Sequence, residues 1–294
     1  MKRFIIILGA VVLAQTVQAQ LLYWGLPTTA EQVAFGQGCL LQSREPQGLM
    51  HNPSSLGFIK YRTLAASGIQ WWQEVYGGSA SAVLPVRGYG TASLGLGYWS
   101  LGTMAGYSED GRPMGTVQSQ ATNLGLGYGL VLDDAWGLGL ALKSSRLNLP
   151  DRYDWGWSSD IALSYKRGLI TGSLMVKDLG PDYPKNNEIN YPLNTVYLAG
   201  AGAAYFEGKV SGSVQYNIRK EEGGYPSLSL EIAPLSGLDL KIGYEKVPEL
   251  ADRSPLGFGI EIDKLGRRDL SVAYGYRSYG DLGHIQALTM GISF

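Results

Sequence analysis

The sequence predicts an all-β chain that crosses a membrane as an antiparallel β-barrel of about 14 strands, with a plug segment ahead of the first strand. Three observations predict this fold class: segments of period-two alternation, links between them that are short and long in turn, and an export signal at the N-terminus. The composition agrees, because the chain holds 41 Gly and 19 Tyr, and Tyr is enriched at membrane interfaces.

Alternation of two faces is the first observation. In 209–218, every second residue from Val210 to Ile218 is apolar or glycine, whereas the residues between them are Lys, Ser, Gln or Asn. In 123–130, glycine supplies most of the second face. A soluble β-sandwich also alternates, but open sheets rarely exceed about ten strands without closing or splitting, so the repetition favours a barrel. The predicted strands are 61–70, 75–85, 90–101, 119–131, 135–146, 156–166, 168–177, 195–206, 209–218, 226–233, 237–245, 255–263, 267–277 and 284–294.

The links between these segments are the second observation. Bacterial barrels have an even number of strands and pair short periplasmic turns with longer external loops. The predicted short links are 86–89, 132–134, 167, 207–208, 234–236 and 264–266. The predicted long links are 102–118, 147–155, 178–194, 219–225, 246–254 and 278–283. The link 71–74 is short on the external side, which is one exception. The loops 102–118 and 178–194 are the longest and offer the surface most available to an outside partner.

The N-terminus carries the export signal. Lys2 and Arg3 precede an apolar run at 4–14, and Val17-Gln18-Ala19 forms a small-residue cleavage site. An uncleaved anchor is the alternative, but eleven apolar residues fall short of the roughly 20 that a spanning helix needs. Gln20 is then the first mature residue, and its identity excludes a lipoprotein. The predicted parts are a signal peptide at 1–19, a plug or hatch at 20–58 and an outer-membrane barrel of a Gram-negative bacterium at 59–294.

The sequence gives little support to catalysis, metal binding or nucleic-acid binding. The chain has 24 basic and 25 acidic side chains and neither sign forms a block, so no basic surface is present for phosphates. Cys39 is the only cysteine, which excludes an internal disulfide and a multi-cysteine metal site. His51 and His284 lack nucleophile-elbow spacing, and a lipid hydrolase would need one of them beside a serine at the membrane face. We therefore predict no enzyme activity, catalytic residue, cofactor, metal or nucleic-acid partner.

Polar residues of the later segments share one face. Lys209, Asp239, Lys241 and Glu261 are examples, and mixed charges of this kind are expected of a wet barrel lumen. Six of the seven tryptophans lie at or near predicted strand ends, where an aromatic ring sits at the headgroup level. They are Trp71, Trp72, Trp99, Trp136, Trp155 and Trp157. The chain ends at Phe294, which resembles the C-terminal signal that barrel-assembly machinery binds.

Three short motifs precede the first strand: LPTTA at 26–30, AFGQG at 34–38 and NPSSL at 52–56. They resemble the opening of the PorV/PorQ-like outer-membrane proteins, which belong with the long-chain fatty-acid transporter barrels. Gln37, Cys39 and the pair Ser54-Ser55 depart from the usual motif residues. The glycines permit close backbone approach, and Asn before Pro is held extended and can turn the chain.

The resemblance implies a function in the outer membrane. It assigns a plug or gating role to Gly36, Gly38, Asn52 and Pro53, although these motifs are also explained as turn chemistry alone. The implied function is that of a type IX secretion accessory that handles exported proteins, with secreted proteins or secretion components as partners. The alternative is a channel for a hydrophobic small-molecule ligand, as in the fatty-acid transporters. Outer-membrane lipid is a partner in either case.

Overall fold

The computed structural model describes residues 26–41, 51–71, 74–107, 110, 112–148, 153–180, 195–219, 223–246, 255–263, 269–280 and 283–294. The predicted signal peptide at 1–19 lies outside these residues. Within the described part of the chain, no helix has the length and apolarity needed to span a bilayer.

Fourteen strands form one closed antiparallel barrel. Each strand pairs with its neighbours in sequence, and β1 pairs with β14 to close the ring. The strands are β1 Thr63–Gln70, β2 Val75–Val86, β3 Gly90–Tyr107, β4 Pro113–Val131, β5 Trp136–Asn148, β6 Tyr153–Arg167, β7 Ile170–Leu179, β8 Val196–Tyr205, β9 Val210–Arg219, β10 Gly223–Leu235, β11 Leu238–Glu245, β12 Leu256–Ile262, β13 Asp269–Ser278 and β14 His284–Ser293. The predicted fold class is confirmed.

The strands β3 and β4 are longer than predicted. The sequence predicts a long loop at 102–118, but β3 runs to Tyr107 and β4 begins at Pro113. The pairing of the two strands shifts between Ser100 and Thr103, and Gly102 has a φ of +81°. Such a bulge breaks the period-two pattern. The alternation in the sequence therefore ends at the bulge, although the two strands of the hairpin continue beyond it. The prediction of a long loop here was wrong.

The two faces of each strand have different environments. In β1, Thr63 and Ser67 are buried inside the barrel and Leu64 is exposed outside it. Large apolar side chains are exposed in this way on the outward face around the whole barrel. Because lipid tails contact this face, the exposed apolar belt is the expected surface of a membrane barrel.

Two of the tryptophans do not belong to that belt. Trp136, Trp155 and Trp157 are exposed outside the barrel, as predicted, but Trp99 is fully buried inside it and Trp71 packs against it. Trp99 points inward because Tyr98, the residue before it on β3, faces outward and consecutive strand residues face opposite sides. The interfacial prediction was wrong for Trp71 and Trp99, and Trp72 lies outside the described residues.

The N-terminal segment, described at 26–41 and 51–58, lies inside the barrel. It contains helix α1 (Ala30–Phe35) and the 3-10 helices Gly36–Leu40 and Pro53–Phe58. The Thr29 side chain caps α1 by accepting a hydrogen bond from Gln32 N at 3.1 Å, and α1 ends where Gly36 adopts a φ of +62°. We call the barrel end that carries the short 87–89 and 168–169 links the turn end, and the opposite end the loop end.

Candidate functional site

Two rows of inward glycines hold the N-terminal segment. The first row, Gly243, Gly257 and Gly275, lies on β11–β13, and a Cβ on any of them would collide with the backbone of α1. Close approach of two backbones is a use that only glycine permits. The glycine face seen in the sequence is therefore, in part, a seat for this segment.

The second row lies on β4 and β5 near the turn end. Gly129, Gly137 and Gly139 face the 3-10 helix Pro53–Phe58, and a Cβ on Gly137 would come within 2.8 Å of Ser54 O. A Cβ on Gly139 would overlap the backbone of Pro53. The N-terminal segment thus rests on the wall at two separate places.

Asn52 fixes the second of these places. Its Oδ1 accepts a hydrogen bond from Ser54 N at 3.1 Å and so caps the 3-10 helix. Its Nδ2 donates to Leu40 O at 3.0 Å, and to the wall hydroxyls of Ser164 at 3.0 Å and Ser173 at 3.1 Å. One buried amide therefore joins the two 3-10 helices to each other and to β6 and β7.

Charged residues connect α1 to the wall. Lys241 Nζ lies 3.2 Å from Glu31 Oε1 and also pairs with Glu261 on β12. The same ammonium lies 5.6 Å from the centroid of the Phe35 ring, close enough for a cation–π contact. All four side chains are buried or nearly so, so Lys241 is a buried link between segment and barrel.

Arg277 on β13 provides a second link. Its Nε donates to Val33 O at 2.9 Å and an Nη atom donates to Ala34 O at 3.1 Å. These are carbonyls in the last turn of α1, which have no partner within a helix this short. Glu245 balances the guanidinium at 3.7 Å. A further buried group, Lys143 with Asp160 and Asp178, occupies the lumen beside β5–β7.

The protonation of Glu31 is sensitive to its surroundings. Burial raises the pKa of Glu31 from 4.5 to about 7, and this outweighs the opposing effect of Lys241. When the N-terminal segment is docked in the lumen, Glu31 therefore favours its neutral acid form more than a Glu in water does. Docking should be strongest below about pH 4.5 and should weaken as the pH rises through about 7.

We therefore expect the pH dependence of docking to disappear in Glu31→Gln. Amide hydrogen exchange of residues 26–41, corrected for intrinsic rates, should be faster at pH 8 than at pH 5 in the unchanged protein and nearly equal in the variant. The control is Glu207→Gln in the exposed β8–β9 turn, which should keep the full difference. If Glu31→Gln keeps it too, another group carries the pH dependence.

The other predicted site residues lie in different surroundings. Gly36 faces Arg277, whose Nη atoms would lie 2.6 and 2.7 Å from an added Cβ, whereas Gly38 has only ordinary contacts. Pro53 begins its 3-10 helix against Gly139. Phe294 is exposed at the turn end, and its N–H donates to Arg62 O at 2.9 Å. Gly36, Gly38, Asn52 and Pro53 therefore all lie against the wall, and Phe294 stands apart from them.

The two histidines lie in different parts of the barrel. His51 is buried, and burial with the nearby charges of Lys177 and Lys241 lowers its pKa to about 3. His284 lies at the start of β14 and stacks on Tyr276 with ring centroids 5.4 Å apart. Among the residues that the structure describes, no three His, Cys, Asp or Glu side chains are grouped as metal ligands would be.

Near the loop end, an apolar cluster fills the space between α1 and the wall of the barrel. Trp99 meets Trp71 edge to face, with centroids 5.9 Å apart. This pair packs with residues of α1 and of the wall, which are Ala30, Val33, Ile69, Leu101, Leu147, Tyr279 and Ile285. We call this set the lumen patch.

A cavity of about 200 Å³ lies near the turn end, between the 3-10 helices and the wall. Its apolar lining residues are Leu40, Leu41, Phe58, Ile59 and Tyr61. Its polar lining includes Asn52, Ser164 and Thr171. The N-terminal segment thus separates an apolar patch near one end of the lumen from a partly apolar cavity near the other.

Sequence reasoning missed Glu31 and Trp99. Glu31 is the only charged residue between 26 and 41, and a lone charge in an apolar segment is a signal for a buried ion pair. Trp99 follows Tyr98, which continues the outward face of Leu94 and Leu96, so strict alternation would have placed it in the lumen.

Comparisons with known proteins show a shared fold. The structure is similar to the Ralstonia pickettii toluene transporter TbuX, with TM-score 0.57 and 12% identity over 93% of this chain and 98% of that chain. It is similar to a Pseudomonas aeruginosa FadL homologue, with TM-score 0.60 and 9% identity over 92% and 98%. It is also similar to the CymD monoaromatic hydrocarbon channel, with TM-score 0.59 and 13% identity over 92% and 98%.

No protein-family model and no curated protein matches the sequence. The similar solved structures are transporters and channels by description, but identities this low show the fold and leave the membership of a particular family, including the PorV/PorQ-like proteins, a prediction. The chain has the fold of a Gram-negative outer-membrane β-barrel, as its alternating strands predicted, and it shares this fold with the transporters and channels named above.

Proposed function

We propose that the chain is a non-enzymatic outer-membrane channel for hydrophobic small molecules. The lumen patch carries this proposal. The lumen of a general porin is polar and filled with water, whereas here two indoles and several aliphatic side chains pack between α1 and the wall near the loop end. Displacement of α1 would uncover this apolar surface, which favours the transfer of an apolar solute out of water.

The N-terminal segment would act as the plug of this channel. It lies between the lumen patch and the turn-end cavity, and it is held by hydrogen bonds and ion pairs to side chains of the wall. Gly36, Asn52 and Pro53 are part of this attachment, as the proposed gating role requires. The descriptions of TbuX and CymD as a toluene transporter and a monoaromatic hydrocarbon channel support the same solute class.

The type IX accessory function implied by the N-terminal motifs stays a prediction. A secretion accessory would engage its protein partners mainly through external loops. Most of the long external loop at 178–194 lies outside the described residues, so nothing in the described part of the chain favours that function over transport.

The test is solute uptake by Trp99→Gln. We expect cells that produce the unchanged protein to take up radiolabelled toluene faster than cells without it. The variant should reduce that gain about tenfold, because a polar group in an apolar site costs about 1–3 kcal/mol and 1.4 kcal/mol is a factor of ten. Trp157→Gln on the outward face of β6 is the matched control and should keep the gain.

Uptake of a monosaccharide distinguishes this channel from a general pore. Cells that produce the unchanged protein or either variant should take up the monosaccharide no faster than cells without the protein. Heat-dependent mobility of the extracted protein would verify that each barrel is folded. A folded Trp99→Gln barrel with undiminished toluene uptake would show that the lumen patch is not on the pathway. A gain in monosaccharide uptake as large as the gain in toluene uptake would indicate a porin.

A further inference from the structure

The outward face of the barrel has a groove. Ala199 and Ala201 on β8 and Gly172 on β7 are small, and taller side chains rise on the adjoining strands. Leu174 is 60% exposed and Val214 is 51% exposed, which places this surface outside the barrel. The groove has a volume of about 500 Å³. Its walls are Leu163, Tyr165, Leu174, Val214 and Tyr216.

A second stretch, of about 390 Å³, continues the groove toward the loop end. The two stretches share Leu163, Leu174, Ala199 and Tyr216. From Ala201 to Tyr197 the groove follows β8 for roughly 13 Å, at ~3.3 Å per strand residue. Its lining is almost wholly apolar, so the groove suits a long, narrow hydrocarbon.

Aromatic and cationic groups mark the turn end of the groove. Trp136 and Tyr165 lie there with ring centroids 4.9 Å apart, and paired aromatic rings are typical of the headgroup level. Arg167 follows Tyr165 by two positions on β6, so it lies on the same outward side. Asp133 in the β4–β5 turn is near enough to Arg167 for their charges to interact. Its Oδ1, however, accepts hydrogen bonds from Ala135 N and Trp136 N, both at 2.8 Å, so this oxygen is held in the turn.

We propose that this groove binds one acyl chain of an anionic glycerophospholipid whose phosphate lies against Arg167. The groove supplies the apolar contact and Arg167 supplies the complementary charge at the depth where a headgroup sits. A second copy of the barrel fits the groove poorly, because two convex walls in contact would leave its volume empty and unfilled volume forfeits dispersion contacts. A flexible acyl chain can fill it.

The test is native mass spectrometry of the purified barrel titrated with phosphatidylglycerol or phosphatidylcholine. We expect one phosphatidylglycerol to be retained in preference to phosphatidylcholine. Ala199→Phe should weaken retention of both lipids about tenfold by filling the groove, with Ala66→Phe on the outward face of β1 as its control. Arg167→Gln should reduce the preference for phosphatidylglycerol about fivefold, with Arg87→Gln in the β2–β3 turn as its control.

Two results would overturn the proposal. One is unchanged lipid retention in Ala199→Phe, or the same loss in Ala66→Phe, since either means that lipid does not bind in the groove. The other is a dimer of the unchanged protein that Ala199→Phe abolishes, which would make the groove an interface between copies. If Arg167→Gln prefers phosphatidylglycerol as strongly as the unchanged protein does, the phosphate does not lie against Arg167.

Discussion

Replacing Gly139 by leucine should release the N-terminal segment from the wall and open the barrel to ions. A side chain at this position would overlap the backbone of Pro53, and displacing that backbone would break hydrogen bonds of the adjacent Asn52. Overpacking alone costs about 1–3 kcal/mol, and each buried polar group left unpaired adds about 1–3 kcal/mol. Because a barrel of this size encloses more space than its own side chains fill, conductance in planar bilayers should rise many-fold.

Gly68→Leu is the matched control for that experiment. Gly68 lies on the outward face of β1, and a Cβ added there meets nothing within 4 Å. The control should conduct like the unchanged protein. A low conductance in a folded Gly139→Leu barrel would show that the 3-10 helix at Pro53–Phe58 adjusts without leaving the lumen.

Replacing Lys241 by methionine should loosen α1 even more. The change leaves Glu31 and Glu261 buried without their shared cation, and loss of one partner of a buried ion pair typically costs about 3–5 kcal/mol. We expect amide exchange of residues 26–41 to accelerate by about 100-fold or more at pH 8. The exchange of the β-strands should change little, because pairing around the ring remains intact.

A double variant separates charge from packing. Adding Glu31→Gln to Lys241→Met removes one of the two carboxylates that shared the Lys241 cation and should restore much of the protection. Lys209→Met, at an exposed position in a turn, should have no effect. Equal exchange in the single and double variants would mean that the packing of the Lys241 side chain, and not its charge, holds α1.

Most of the barrel could be predicted from the sequence because the alternation of each strand is visible within its own segment. In β9 and β12 the alternation is unbroken from end to end, and the structure bounds these strands within one residue of the prediction. The pattern failed where a local irregularity interrupted it. At Gly102 the bulge shifts the pairing, and everything beyond it in the hairpin resembled a loop.

The site was less predictable because its contacts join distant parts of the chain. Glu31 and Lys241 are separated by 210 positions, and their meeting depends on the path of the N-terminal segment through the lumen, which no local pattern records. Asn52 was predicted from its position before a proline, and its capping bond is indeed local. Its bonds to Ser164 and Ser173, by contrast, require the closed barrel.

The two glycine rows lie on opposite sides of the ring. One is on β4 and β5 and the other on β11–β13, which is about half of a fourteen-strand circumference away. They also lie at different heights, since the row on β4 and β5 is near the turn end and the row on β11–β13 is near the loop end. The N-terminal segment is therefore a diagonal strut that spans the diameter. It resists flattening of the barrel into an ellipse, so its withdrawal would free the wall to change shape as well as clear the lumen.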